Sequence, residues 1–164
     1  MASNKQIFDD IGKAAERALD KLSKPSNLRK HGQSLGSQIQ KRTRLGKGVA
    51  SENGTLSRLK KLKPDYIKQR KKGKLSSKTT PARSNLTRTG QLLKSIKGGA
   101  KTFGKIIVEF FGDRNDGKTN DDIAGWQEKQ GRPFFYMSKP ERNKLTGELR
   151  KDIEQRIDQE LKKL

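Results

Sequence analysis

The stretch Lys105-Ile106-Ile107-Val108-Glu109-Phe110-Phe111 carries the strongest signal for regular structure in this chain. It is short, rich in β-branched and aromatic residues, and bounded by Gly104 and Gly112, which is the composition of a β-strand. Seven of the nine aromatic residues lie between positions 103 and 136. The sequence therefore predicts a strand here with the hydrophobic core around it, and the segment 96–101 is the candidate partner strand.

Amphipathic helices are predicted at both ends of the chain. Ser3 with Gln6 forms a capping-box start, and apolar residues at helical spacing follow until Pro25. Ser138 with Glu141 is a second capping box. The residues that recur at steps of four after it are Leu145, Leu149, Ile153, Ile157 and Leu161. The chain is therefore expected to finish on a long helix.

Shorter helices are predicted between these two. A helix over 121–130 would bury Ile123 and either Trp126 or Gln127. Another, of about two turns, would begin near Thr89, whose hydroxyl can cap it, and would stop at Gly98-Gly99.

The basic residues are concentrated in one region. The chain of 164 residues has a formal net charge of +21, and residues 26 to 105 contain twenty-two Lys or Arg and two acidic residues. Apolar residues are sparse between 26 and 49, where only a weak helix over 35–43 is expected. Leu56, Leu59 and Leu62 predict a short helix before Pro64, and a second helix ends near Lys72. Such a charge excess indicates an acidic partner.

The fold class expected from these patterns is α+β: a small antiparallel sheet packed with amphipathic helices, a long C-terminal helix and a basic N-terminal arm. The length fits one domain. The chain is expected to divide into an N-terminal helix over 1–25, a basic arm or helical extension over 26–83 and a core domain over 84–164. Because only 29% of the residues are hydrophobic, the arm is expected to become ordered on a partner.

Basic residues on both sides of Pro64 are the candidates for contact with DNA or another acidic partner. A protein that neutralises phosphates releases their counterions, so its binding depends steeply on salt. Tyr66 is the only aromatic residue among these charges. Proteins that bind single-stranded nucleic acid stack its bases on aromatic side chains, so the pattern favours a duplex backbone or an acidic protein surface as the partner. The candidates are Lys60, Lys61, Lys63, Lys68, Arg70, Lys71, Lys72 and Lys74.

Catalytic patterns are weak. The chain has no cysteine, Gly46-Lys47-Gly48 lacks the spacing of a phosphate-binding loop, and His31 is expected on the solvated surface. The loop at 113–117 departs from a calcium-binding loop. A metal-dependent nuclease would draw on Glu109, Asp113, Asp121 and Asp122, although turns and helix caps explain these acids equally well. We expect no cofactor, no bound metal, no membrane span and no secretory signal.

Three motifs occur in a characteristic order: Leu59-x-x-Leu62-x-Pro64-x-Tyr66-x-x-x-Arg70-Lys71, then Leu86-Thr87-Arg88-Thr89-Gly90-x-Leu92-x-x-Ser95-Ile96, then Gly131-Arg132-Pro133-Phe134-Phe135. Over residues 56–164 the chain resembles the virion-morphogenesis and tail-completion (neck) proteins of tailed bacteriophages. It departs from them at Ala124-Gly125-Trp126-Gln127, where the family often has Tyr-Ala and His-Gln, and its first 50 residues carry no part of the resemblance.

The resemblance implies a structural subunit without catalysis. Such a subunit forms a homo-oligomeric ring at the head-tail junction, in the virion after assembly in the host cytoplasm. Its partners would be portal or head-completion connector proteins and tail terminator or tube proteins, with packaged DNA as a further candidate. The residues expected to support the fold are Arg88, Thr89, Gly90, Leu92, Ile96, Arg132, Pro133, Phe134 and Phe135. The alternative is a free-standing basic protein that contacts the phosphate backbone of nucleic acid.

Overall fold

A computed structural model of the chain describes residues 4–49, 53–72, 82, 86, 90–112, 114 and 117–163. The described residues form six helices and two antiparallel sheets of two strands each. Their order is α1 (Asn4–Ser23), α2 (Pro25–Arg44), β1 (Lys47–Val49), β2 (Leu56–Arg58), α3 (Pro64–Lys72), α4 (Gln91–Lys94), β3 (Ile96–Thr102), β4 (Lys105–Phe110), α5 (Asn120–Lys129) and α6 (Lys139–Leu161). The α+β class, the predicted strand with its partner and the long C-terminal helix are confirmed.

The β3–β4 hairpin turns one face toward the main core. Antiparallel pairing places Ile96 opposite Phe110 and Gly98 opposite Val108, and directly opposed residues lie on the same face of a sheet. Phe110 stacks on Phe135 with ring centroids 4.3 Å apart, and Phe134 is 1% exposed. The segment after Pro133 therefore contributes the rings of Phe134 and Phe135 to the same core that β4 contacts.

Helix α2 lies in the region expected to be a basic arm or helical extension, and the expectation that this region becomes ordered only on a partner needs correction for α2. It runs for 20 residues, and its Leu35 and Ile39 belong to the same buried cluster as Ile96 and Phe134. Leu28 packs with Ala100 in a second cluster. Residues 25–44 are thus part of the packed unit, because few but regularly spaced apolar residues are enough to make a buried helical face.

Glycines allow helix α2 to approach β3 backbone to backbone. A Cβ atom built on Gly98 would lie 1.7 Å from the carbonyl oxygen of Gly32, and one built on Gly36 would lie 3.0 Å from the amide nitrogen of Gly98. No other residue type fits at Gly98 or Gly32 without moving the helix. The glycines between 26 and 49 therefore serve a close helix-sheet contact in addition to turns.

Tertiary pairing also overrides two local predictions. Helix α4 covers only Gln91–Lys94, and Gly98-Gly99 continues β3 instead of ending a helix. The predicted helix at Leu56 is strand β2, which pairs with β1 so that Lys47 faces Arg58. In both places a partner strand satisfies the backbone hydrogen bonds that a helix would otherwise supply.

Four acidic residues of α6 connect it to α1 and α2. Glu160 accepts hydrogen bonds from Lys21 at 2.5 Å and from Lys163 at 2.8 Å. His31 was expected on the surface, but it is 3% exposed, with Nε2 3.0 Å from Oδ2 of Asp152 and Nδ1 3.6 Å from Oε2 of Glu148. The fourth is Glu141. Part of the basic excess of α1 and α2 is therefore used within the molecule.

The ion pair between Arg42 and Glu141 is buried. The Arg42 Nε donates to Glu141 at 2.6 Å, and its Nη2 donates to the carbonyl oxygens of Phe134 and Tyr136. Glu141 also accepts from the backbone N–H of Ser138 at 2.8 Å and completes the predicted capping box of α6. One carboxylate therefore holds α2, the 133–138 segment and the start of α6 together.

Candidate partner interface

The predicted contact residues that are described lie on and just before α3. Pro64 begins this helix at a position where a missing N–H costs nothing, and Asp65 follows in the first turn. Six lysines are exposed there, and we call them the α3 basic surface: Lys60, Lys61, Lys63, Lys68, Lys71 and Lys72. The ion pair between Lys68 and Asp65, at 3.9 Å, is exposed and too weak to neutralise the surface.

Two predicted contact residues do not join this surface. Arg70 is 3% exposed, because the helical period places it on the same side as the half-buried Tyr66 and Ile67. Its side chain is therefore turned into the molecule and does not lie on the α3 basic surface. Lys74 lies outside the described residues.

The residues of the resemblance lie in and around the core. Gly90 is the N-cap of α4 with φ at 73°, a left-handed conformation that favours glycine. Leu92 and Ile96 are buried. Arg132 Nη1 lies 3.4 Å from Oε1 of Gln127, and the Pro133 carbonyl oxygen accepts from the backbone N–H of Val49 at 3.1 Å. Arg88 and Thr89 lie outside the described residues.

Large apolar side chains on the surface were not anticipated by the sequence reasoning. Phe8 is 73% exposed, Phe103 61%, Trp126 53% and Phe111 41%. On α5 the inward side carries Ile123 and Gln127, so the second of the two predicted alternatives for that helix is correct and Trp126 points outward. Strand alternation could have revealed Phe111, because Phe110 beside it faces the core.

Two of the acids considered for metal chemistry, Glu109 and Asp122, have local structural roles. Glu109 pairs with Lys101 at 2.5 Å. Asp122 accepts from the Thr119 backbone N–H at 3.0 Å, and hydrogen bonds from the Thr119 side chain and backbone hold the pKa of Asp122 below its usual value. Within the described ranges no three His, Cys, Asp or Glu side chains are grouped to hold a metal ion. Asp113 and most of the 113–117 loop lie outside those ranges.

Two further findings concern the chain as a whole. None of the described helices combines the length and the apolar character needed to cross a bilayer. Comparison with protein-family models, with curated proteins and with solved structures finds no match to this chain.

Proposed function

We propose that this protein is a structural, non-enzymatic subunit of a tailed-bacteriophage virion, part of a ring at the head-tail junction that joins the tail to the head connector. The proposal starts from the order of three motifs between residues 56 and 135. It assigns the buried residues of those motifs to the fold and the exposed surfaces to assembly.

Convergence of the three motifs in space is the observation that carries the proposal. Leu59 from the first motif, Leu92 and Ile96 from the second and Phe134 from the third are all buried in one cluster. Residues that far apart in the chain meet only if the segments between them fold as one unit. This favours one domain-wide pattern over three chance similarities, and it gives the motif residues a structural role.

Exposed aromatic side chains support an assembly role. Four of the nine aromatics are at least 41% exposed, although only 29% of the residues in the chain are hydrophobic. Interfaces are enriched in aromatic residues, and burying one such ring on a partner contributes roughly 1.5–3 kcal/mol. The α3 basic surface adds charge that an acidic neighbour would neutralise.

Purified virions provide the test. Quantitative mass spectrometry of particles from the host that produces this protein should detect it at a ring-like copy number relative to a known structural protein. Absence from the particles would refute the proposal.

The recombinant protein offers a second arm. Native mass spectrometry should show a closed oligomer that Trp126→Ser weakens, whereas Glu154→Ser, on an exposed part of α6, should leave it intact. If the two substitutions weaken the oligomer equally, Trp126 is not part of the interface.

The alternative function, a free-standing nucleic-acid-binding protein, is favoured by the six exposed lysines of the α3 basic surface. It predicts tight duplex binding by the purified protein. Lys71→Gln with Lys72→Gln should make the slope of log K against log salt shallower by about 0.9 per lost phosphate contact. The matched control is Lys151→Gln with Lys162→Gln, which removes the same charge from α6. Indistinguishable slopes for the two double variants would exclude the α3 basic surface as the duplex site.

A further inference from the structure

The β3–β4 hairpin has a second face, on the side of the sheet opposite the core. Pairing of Lys97 with Glu109 and of Gly99 with Ile107 places these residues on the side opposite Gly98 and Val108. We call this side the hairpin outer face; its residues are Lys97, Gly99, Lys101, Ile107, Glu109 and Phe111.

The hairpin outer face is open. A Cβ atom built on Gly99 meets no atom within 4 Å, whereas the neighbouring Gly98 is pressed against α2. Phe111 is 41% exposed, and its backbone N–H donates to the Ser95 carbonyl oxygen at 2.8 Å. The ring is therefore held at the end of the sheet on a fixed backbone, with its side chain presented to the surroundings.

Basic side chains flank the Phe111 ring on both sides. The ammonium groups of Lys97 and Lys101 lie 5.4 Å and 5.8 Å from the ring centroid. One shallow groove beside the ring includes Arg29, and a second includes Lys94. The acid on this face, Glu109, is paired with Lys101 at 2.5 Å, so the local charge is positive.

An aromatic platform between cations is the arrangement by which proteins bind single-stranded nucleic acid, with a base on the ring and phosphates on the cations. A lysine over an exposed ring is worth only about two- to fivefold in an equilibrium constant. A base stacked on an aromatic ring strengthens binding by roughly 5- to 150-fold in the equilibrium constant. A base can therefore displace the two lysine side chains from the ring, and the lysines can then contact the adjacent phosphates.

We propose that the hairpin outer face binds single-stranded nucleic acid, with one base stacked on Phe111 and the flanking phosphates held by Lys97, Lys101 and Arg29. A duplex keeps its base faces stacked inside, so it cannot use the ring in this way. The proposal goes beyond the assembly role and does not depend on it. It also differs from phosphate contact through the α3 basic surface, which requires no ring.

Fluorescence anisotropy tests the site with three probes of equal length: labelled oligothymidine, the same backbone without bases, and a duplex. The unmodified protein should bind oligothymidine more tightly than the abasic strand. Phe111→Ala should weaken oligothymidine binding by about 5- to 150-fold and leave binding of the abasic strand unchanged. Phe111→Trp should retain the preference for bases.

Two controls keep the result interpretable. Phe8→Ala removes another exposed ring, from α1, where Asp9 and Asp10 follow it, and should not change oligothymidine binding. Phe111→Leu keeps an apolar side chain without a ring and should behave as Phe111→Ala does, even if the alanine variant folds poorly.

Several outcomes would overturn the proposal. They are oligothymidine binding that survives Phe111→Ala and Phe111→Leu, an equal loss with the abasic strand, and an equal loss in Phe8→Ala. Binding of an acidic polyglutamate peptide that competes with oligothymidine at equal affinity and depends on Phe111 would assign the face to a protein partner instead.

Discussion

Replacing Gly98 by alanine tests how helix α2 is seated on the sheet. The added methyl group would lie 1.7 Å from the Gly32 carbonyl oxygen and 2.3 Å from its carbonyl carbon. Both atoms are backbone atoms of a helix, so neither can rotate away. Gly99→Ala is the matched control, because it adds the same group to the next residue of the same strand, where nothing lies within 4 Å.

The magnitude follows from the displacement required. Ordinary van der Waals contact begins at 3.4 Å, so α2 would have to move by about 1.7 Å, which separates Leu35 and Ile39 from their core neighbours. Overpacking typically costs 1–3 kcal/mol, and we expect the upper end, about 3 kcal/mol or more, because the obstacle is rigid. Neither glycine has a positive φ, so Gly99→Ala should be neutral or stabilise by about 0.4–1 kcal/mol.

Urea unfolding followed by far-ultraviolet circular dichroism measures both variants. The Gly98→Ala midpoint should fall well below that of the unmodified protein at an unchanged m-value, and its melting temperature should fall by roughly 10 °C. The Gly99→Ala midpoint should stay or rise. If the two variants unfold at the same urea concentration, α2 does not rest on β3 through these glycines and the packing argument is wrong.

Three further outcomes are expected. Arg42→Met should cost about 3–5 kcal/mol in urea unfolding because it leaves the buried Glu141 carboxylate without its cation, and adding Glu141→Gln should recover part of that loss in a double-mutant cycle. Hydrogen bonds, chiefly from Lys163, lower the pKa of Glu160 to about 2 from 4.5. The contribution of this carboxylate to stability is therefore complete above pH 4.5 and is lost as pH falls toward 2. The difference in urea midpoint between the unmodified protein and Glu160→Gln should be largest at neutral pH and vanish near pH 2. Trp126→Ala should change the unfolding free energy by less than about 0.5 kcal/mol while reducing self-association measured by sedimentation velocity.

Local patterns were enough to predict the elements whose residues interact with near neighbours in sequence. The capping box of Ser138 and Glu141, the step-of-four repeat after it and the β-branched run at 105–110 each specify their own structure. These signals are short-range, since a cap acts on the first turn and strand alternation acts on successive residues.

Prediction failed where a distant segment decided the conformation. The Gly98-Gly99 pair reads as a helix stop, yet β4 pairs with it and α2 packs against it. The histidine at position 31 sits among basic residues in the sequence, yet the fold places it between Asp152 and Glu148 of α6. Burial raises the pKa of Asp152, but hydrogen bonds from Lys30 and His31 outweigh that effect and leave the pKa below its usual value.

Candidate functional residues divide in the same way. The exposed lysines around α3 were predictable, because long charged side chains stay in water whatever the fold. The burial of Arg70 and the exposure of Phe111 were not, because each depends on which side of its element meets the rest of the molecule.

Composition, helix caps and apolar spacing determine that this chain is a strongly basic α+β protein with a strand at 105–110 and a long final helix. Only the tertiary structure decides that α2 belongs to the core, that four α6 acids are used to hold α1 and α2, and that Phe111 stands among lysines. The physical reason is range. Backbone propensity and capping act over a few residues, whereas packing, ion pairing and exposure depend on segments that meet only after the chain has folded.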